Sequence, residues 1–184
     1  IPFLFTSHAI EIDIAIVSAT PPDEEGNMSL GIAADVADRV LKNAKLAIAE
    51  VNSNMPFTYG STIVRPEQFD FTIMSELPVP EKKTTRPDAS ADTIGRNISS
   101  LISDFLIQSI ASHLLTKKNL GILTNEFSDW IIPLVKSGVI SSNREYYEGG
   151  RVSASYCYGS RELYDLVNRN PLFRCGRLCH GRPS

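Results

Sequence analysis

Two stretches in the first third of the chain have the pattern of strands covered on both faces. Ile12-Asp13-Ile14-Ala15-Ile16-Val17-Ser18 and Lys45-Leu46-Ala47-Ile48-Ala49-Glu50-Val51 are rich in β-branched and small apolar residues and end in polar turn residues, as strands of a parallel sheet do. Between them Val36, Ala37, Val40, Leu41 and Ala44 recur at helical spacing, with Asp38, Arg39 and Lys42 on the other faces. Strand, loop, helix and strand in that order predict a parallel βαβ unit with a right-handed crossover. Further strands are expected over residues 62–64 and 69–74.

The segment Leu77-Pro78-Val79-Pro80-Glu81-Lys82-Lys83-Thr84-Thr85-Arg86-Pro87-Asp88 breaks this rhythm. It holds three prolines and mixed charges with no apolar period, the composition of an extended linker. Beyond it Ile94, Ile98, Leu101, Ile102 and Phe105 form a helical stripe that Ile110 and Leu114 extend. A short strand is expected at residues 120–124, with Ser128 capping the helix that follows. Pro133 requires that helix to start late, and Gly138 would end it. Residues 152–158 alternate like a strand, and residues 160–167 read as another capped helix. The pattern βαβ, linker, αβαβα places the chain in the α/β class.

Composition narrows the function classes. With 42% hydrophobic and 21% charged residues the chain is an ordinary globular protein, neither disordered nor embedded in a membrane. A formal net charge of -3 disfavours a nucleic-acid surface, which wants a basic stripe. No apolar run is long enough to cross a bilayer. The start, Ile1-Pro2-Phe3-Leu4-Phe5-Thr6, has neither a basic n-region nor an initiator Met, so it reads as neither a signal peptide nor a natural N-terminus. Three cysteines, an odd count, do not suit a disulfide-stapled secreted domain, and a cytoplasmic location is expected.

Open parallel sheets bind ligands beyond the carboxyl ends of their strands. Three such ends are polar here: the loop from Ala19 through Pro21 and Pro22 to Asn27, the run from Glu50 through Asn52 and Asn54 to Pro56, and the run from Thr124 through Asn125 and Glu126 to Asp129. A carboxylate at a strand end beside a helix start is well placed to act as a nucleophile, because nearby backbone N–H groups stabilise developing anions. Other candidates are weaker. Cys175, Cys179 and His180 lack the second ligand pair of a zinc site, and no metal is expected. Ser7 and His8 have no partner acid, and His113 beside Lys117 and Lys118 reads as a surface residue. Trp130 and Phe127 are expected to pack a helix onto the sheet. Tyr146, Tyr147, Tyr156 and Tyr158 lack the basic interleaving of a base-stacking platform and read as packing or interface residues.

Taken in order, four segments resemble the acetyl-CoA hydrolase/transferase family, which includes acetate and 4-hydroxybutyrate CoA-transferases. Residues 17–31, VSATPPDEEGNMSLG, are similar to its VSPPDExGxxSLG signature, and residues 43–56 to its NAKxxIAEVNxNMP segment. Leu120-Gly121-Ile122, Phe127-Ser128-Asp129 and Gly138-Val139-Ile140 resemble LGIHTEMFSDGxxDLxxxGVI, and residues 159–171 resemble GSxxLYDFxxxNP.

The resemblance implies CoA-transferase-like open parallel sheets. Residues 1–76 would be the C-terminal part of a first domain, 77–92 a linker, 93–174 the N-terminal part of a second domain, and 175–184 an unmatched tail. It implies transfer of coenzyme A between an acyl-CoA and a short carboxylic acid through a glutamyl-CoA thioester, or the related acetyl-CoA hydrolysis. Coenzyme A is then a substrate and no prosthetic group is expected. Acyl-CoA and short carboxylic acids are the expected partners, with a homo-oligomer, a dimer, for an intact protein and no role for nucleic acid or membrane.

The family glutamate directly follows GIHT. Here Thr124 is followed by Asn125 and then Glu126, so an ungapped match puts Asn125 at the nucleophile position and a one-residue shift puts Glu126 there. Glu126 is the expected nucleophile, with Asn125, Glu50, Asn52 and Asn54 lining the cleft and Pro21 and Pro22 shaping the opposing loop. The family's glycine-rich DGATLQLGIG turn has no counterpart after Ser103-Asp104, and the resemblance stops after Arg174. The rival expectation is therefore a truncated, catalytically inactive fragment acting at most as a binding or assembly partner.

Overall fold

The computed structural model describes residues 10–34, 36–82, 111–112, 114–140 and 152–176. Strands β1 (Ile12–Ala19), β3 (Ala44–Asn52) and β6 (Phe71–Ser75) form a parallel sheet in the order β1-β3-β6. Helix α1 (Ala37–Asn43) makes the crossover between the first two strands. The expected βαβ unit is thus present, with its strands one residue longer at their edges. Register is fixed from Ile12 opposite Ala44 to Ala19 opposite Val51. Ala19, Ala47, Ala49 and Val51 point into a small core with Leu41, Met28, Leu30 and Val64.

The opposite face departs from the expectation of cover on both sides. Ile14 and Ile16 are 58% and 70% exposed, and Phe71 and Ile73 are also exposed. Strand side chains alternate between faces, and α1 is the helix among the described residues that packs on this sheet. The expected strand at residues 62–64 is the short β5 (Ile63–Val64), antiparallel to β2 (Met28–Ser29).

A second, parallel sheet runs β4-β9-β8-β7, from Tyr59–Gly60 through Phe173–Cys175 and Val152–Cys157 to Ile122–Phe127. Its core holds Phe127, Ile131, Leu134, Val152, Leu163, Val167 and Phe173. Helix α2 (Ile132–Lys136) does start late: Pro133 sits in its first turn, where the missing N–H costs nothing, and Gly138 follows its end at φ +71. Ser160 occupies the N-cap of α3 (Arg161–Val167), but its hydroxyl makes no cap bond. Its Oγ and backbone N–H both donate to Asp129 Oδ1, at 2.9 and 2.8 Å, charge-assisted bonds that hold the side chain toward the carboxylate. Ser128 likewise makes no side-chain cap bond to the 3-10 turn Asp129–Ile131.

Buried hydroxyls tie the β2–β5 pair to the segment that leads into the second sheet. Ser29 Oγ donates to the Thr58 carbonyl at 2.8 Å and accepts from the N–H groups of Thr58 and Gly31, while Thr58 Oγ1 donates to the Gly31 carbonyl at 2.6 Å. Next to this knot, Cys157 N–H donates to the Ile32 carbonyl at 2.8 Å, and Phe57 N–H donates to Asn168 Oδ1 at 2.9 Å. The segment after β2 and the segment before β4 are therefore both sewn to the second sheet.

Most of the helix expected over residues 94–115, the rest of the linker and the last residues of the tail fall outside the described residues. So do Ser7, His8, His113, Tyr146, Tyr147, Cys179 and His180. Among the described residues no helix is long and apolar enough to cross a membrane.

Gly31 carries this joint. It adopts φ +68, and a Cβ there would run into the Met55 thioether. Gly31→Ala is expected to destabilise the protein by about 2–4 kcal/mol, combining left-handed backbone strain with overpacking. Urea unfolding tests this. In a Met55→Ala background the same substitution should cost only the backbone part, on the order of 1–2 kcal/mol.

Candidate functional site at the end of the second sheet

The chemistry-bearing strand is β7, whose residues alternate between faces. Leu123 and Asn125 are exposed, while Thr124 and Glu126 turn to the other side. The β7–β8 ladder keeps one constant register, Glu126 lying opposite Tyr156 and Phe127 opposite Cys157. Parallel pairing puts side chains of opposed residues on the same face, so Tyr156 reaches Glu126 directly. Its hydroxyl donates to Glu126 Oε2 at 2.8 Å. Lys82 Nζ donates to the other oxygen, Oε1, at 3.3 Å. The Glu126 side chain is only 13% exposed and that of Lys82 39%. Thr124 Oγ1 donates to the Glu126 carbonyl at 3.0 Å, which fixes the backbone at the strand end.

Lys82 comes from the proline-rich segment, whose described part, residues 77–82, lies as a strap across the carboxyl ends of β7 and β8. Val79 is buried, the Pro80 carbonyl accepts from the Tyr164 hydroxyl at 2.6 Å, Glu81 Oε2 accepts from Arg161 N–H at 3.0 Å, and Lys82 N–H donates to the Gly159 carbonyl at 3.0 Å. The Lys82 ammonium also stands 5.7 Å from the centroid of the Tyr158 ring, within cation–π range. The sequence offers Tyr156 only as a packing or interface residue and Lys82 only as part of a linker. A lysine in an aperiodic segment carries no signal, and Tyr156 becomes legible only once β7 and β8 are paired in register.

The remaining candidates lie at the carboxyl ends of the first sheet. Glu50, on β3, accepts from Ser18 Oγ at 2.8 Å. The hydroxyls of Ser18 and Ser75 hold its carboxyl below the usual carboxylate value. Asn52 is buried, its Nδ2 donating to the Leu77 carbonyl at 2.8 Å and its Oδ1 accepting from Asn54 N–H at 2.9 Å. Asn54 Nδ2 donates to the Glu76 carbonyl at 2.8 Å. Both amides fasten the turn that launches the strap. Asn125 shares β7 with Glu126 but faces away from it. Pro21 follows the Thr20 side chain that accepts from Ser29 N–H. Pro22 lines an open groove of about 720 Å³ whose other wall includes Phe57, Tyr59 and Arg169. That groove shares no lining residue with the Glu126 site.

Two thiols sit beneath the site in the core. Burial pushes the Cys175 thiol up to about 12 and that of Cys157 well above its usual value, so neither is a thiolate nucleophile at neutral pH. Burial also raises Tyr164, to about 12, which keeps its strap-holding hydroxyl a donor. Phe127 packs 5.4 Å from Phe173 between ring centroids. Trp130 is buried beside it, its indole N–H without a partner among the described residues.

Two stability experiments follow from these contacts. Asn52→Ala removes two hydrogen bonds of a buried amide and should cost about 1–3 kcal/mol in chemical unfolding. Glu50 has a folded pKa below its unfolded value. Its contribution is therefore present above the unfolded pKa and is lost as pH falls through the lowered folded value. Wild-type protein should lose more stability across that acid window than Glu50→Gln, as followed by thermal unfolding against pH. Parallel pH curves would mean the Ser18 and Ser75 contacts contribute nothing.

Residues 2–80 match the description of the acetyl-CoA hydrolase/transferase N-terminal domain. The 4-hydroxybutyrate coenzyme A transferase of Clostridium kluyveri is 32% identical over 94% of this chain and 42% of its own length. The succinyl-CoA:acetate/propanoyl-CoA:succinate CoA transferase of Fasciola hepatica is 30% identical over 94% of this chain and 38% of its own. Among solved structures, the 4-hydroxybutyrate CoA-transferase of Porphyromonas gingivalis superposes with a TM-score of 0.84 at 30% identity, covering 95% of this chain and 47% of that one. RipA from Yersinia pestis shares the fold, with a TM-score of 0.82 at 22% identity over 95% of this chain and 43% of that one. This chain thus spans less than half the length of each of these relatives, and what it resembles over that span is the acetyl-CoA hydrolase/transferase family.

Proposed function

We propose that this chain contributes the carboxylate nucleophile of a CoA-transferase, that the nucleophile is Glu126, and that its substrates are an acyl-CoA and a short carboxylic acid. The observation that carries the reading is a shielded carboxylate at the carboxyl end of a parallel strand, with a donor on each oxygen. The names of the relatives supply the substrate class. In the first step a Glu126 oxygen attacks the thioester carbonyl, forming an acyl-glutamyl anhydride and releasing the CoA thiolate. The thiolate then attacks the glutamyl carbonyl, giving a glutamyl-CoA thioester and expelling the first acid as its carboxylate. The acceptor carboxylate repeats the two steps in reverse, ending as its own CoA thioester and restoring the Glu126 carboxylate. Each step exchanges one activated acyl bond for another, so coenzyme A enters as a substrate and the chemistry calls for no prosthetic group. With water as the final acceptor, the same cycle is hydrolysis.

Glu50, Asn52 and Asn54 act in this reading through the turn they anchor, which starts the strap carrying Lys82. Pro21 and Pro22 shape the loop across the first sheet, and Asn125 borders the strand end from its other face. Homo-oligomeric assembly and a cytoplasmic location belong to the same proposal. The uncovered face of the first sheet, with Ile14, Ile16, Phe71 and Ile73, supports a further partner for that layer, since parallel sheets are covered on both sides.

Intact mass spectrometry after incubation with acetyl-CoA tests the reading. Wild-type protein and Asn125→Ala should acquire a CoA-sized adduct, and Glu126→Gln should not. No adduct on folded wild-type protein would favour the rival reading, a chain that keeps the family sequence without its catalysis.

A further inference from the structure

We infer that Lys82 and Tyr156 are catalytic donors of the Glu126 exchange: each holds one carboxylate oxygen before reaction and serves the oxygen on its own side once Glu126 is acylated. The inference rests on Glu126 being the nucleophile.

The two donors do not share an oxygen. Tyr156 Oη lies 2.8 Å from Oε2 and Lys82 Nζ 3.3 Å from Oε1. In the acyl-glutamyl anhydride one former carboxylate oxygen becomes the glutamyl carbonyl oxygen and the other bridges to the acyl group. When the CoA thiolate attacks the glutamyl carbon, the C–S bond forms first and gives a tetrahedral intermediate, and the bond from the glutamyl carbon to the bridging oxygen then breaks. Negative charge collects on the carbonyl oxygen in the tetrahedral intermediate and leaves on the bridging oxygen with the departing carboxylate. With donors on both sides, one faces the oxyanion and the other the leaving group, whichever oxygen reacted first. Donors already aimed at developing charge need no reorganisation during the step, which is where such groups contribute most.

The placement of Lys82 supports a role beyond a surface ion pair. Four consecutive strap residues are tied down, by burial of Val79 and by the contacts of Pro80, Glu81 and the Lys82 N–H. The Tyr158 ring flanks the ammonium as well. An exposed lysine meeting a carboxylate by chance contributes little and needs no such anchoring. Tyr156 is held by its pairing with Glu126 in the β7–β8 ladder, so both donors stand on fixed backbone.

The test measures the rate of CoA-adduct formation on the full chain as a function of acetyl-CoA concentration, for wild type, Lys82→Met, Lys82→Arg and Tyr156→Phe. Circular dichroism checks the fold of each variant. Lys82→Met and Tyr156→Phe should each slow the saturating rate roughly ten- to a hundredfold, with less than about a threefold change in the half-saturating concentration, as for lost transition-state donors. Lys82→Arg should recover most of the loss. Wild-type saturating rates in folded Lys82→Met and Tyr156→Phe, or a loss confined to the half-saturating concentration, would overturn the inference and leave Glu126 as nucleophile standing. Should Lys82→Met fail to fold, Tyr156→Phe decides: a saturating rate equal to wild type overturns the inference. No adduct on the wild type overturns both this inference and the reading beneath it.

Discussion

A carboxylate that keeps only 13% of its side-chain surface in water must find replacements for the hydration it has lost, and much of the second sheet is arranged around that requirement. The two contacts at Glu126 differ in weight. A hydrogen bond to a charged acceptor contributes about 1.5–3 kcal/mol, and the Tyr156 contact, at 2.8 Å, is the shorter of the two, Lys82 standing at 3.3 Å. The Tyr156 hydroxyl is therefore the principal support in the resting state, and Lys82 is the adjustable one. The first depends on β7 and β8 pairing with one offset, from Ile122 opposite Val152 to Phe127 opposite Cys157. The second depends on the strap lying across the strand ends, and the strap in turn depends on Tyr164, Gly159 and α3 for its fastenings.

The strap also explains why the two sheets form one working unit. It leaves the first sheet at Ser75, is tethered by the amides of Asn52 and Asn54, and reaches the second sheet within a few residues. A second tie runs through Ser29, Thr58 and Gly31, where hydroxyls satisfy backbone groups that burial would otherwise leave without water. Buried polar knots of this kind tolerate little change, because losing one partner strands the others. The SLG segment thus has a structural reason for its small residues: a larger residue at Gly31 meets Met55, and a serine without its hydroxyl leaves the N–H groups of Gly31 and Thr58 without that acceptor.

The strand and helix pattern was largely legible in the sequence because burial period and turn residues agreed. β1, α1, β3, β8 and α3 stand within a residue or two of their expected bounds. The late start of α2 could be read from Pro133 alone. The cap at Ser160 was half legible: the residue and its extended backbone were recoverable, but the Asp129 carboxylate that takes its hydroxyl is distant in sequence. Exposure of Ile14 and Ile16 was not recoverable, since an apolar strand reads the same whichever of its faces is covered. The local pattern likewise offered Glu126 as a strand-end carboxylate but could not supply Tyr156 or Lys82, whose meaning arises from register and from a segment without periodicity.

Asn125 and Glu126 make the same point at the scale of one residue. An ungapped comparison with the family pattern prefers Asn125, but an amide has no anionic oxygen to attack a thioester. The β7–β8 ladder has the same offset at Ile122 opposite Val152 and at Phe127 opposite Cys157, so no bulge rotates one side chain into the place of the other. The two residues face opposite sides of the strand, and an acyl-CoA approaching one cannot be served by groups arranged for the other. The hydroxyl and the ammonium both stand on the Glu126 side, while the neighbour two residues before Asn125 on its face is the exposed Leu123. In the proposed reaction charge stabilisation can be offered only where the donors are, and this favours approach of an acyl-CoA from the Glu126 face.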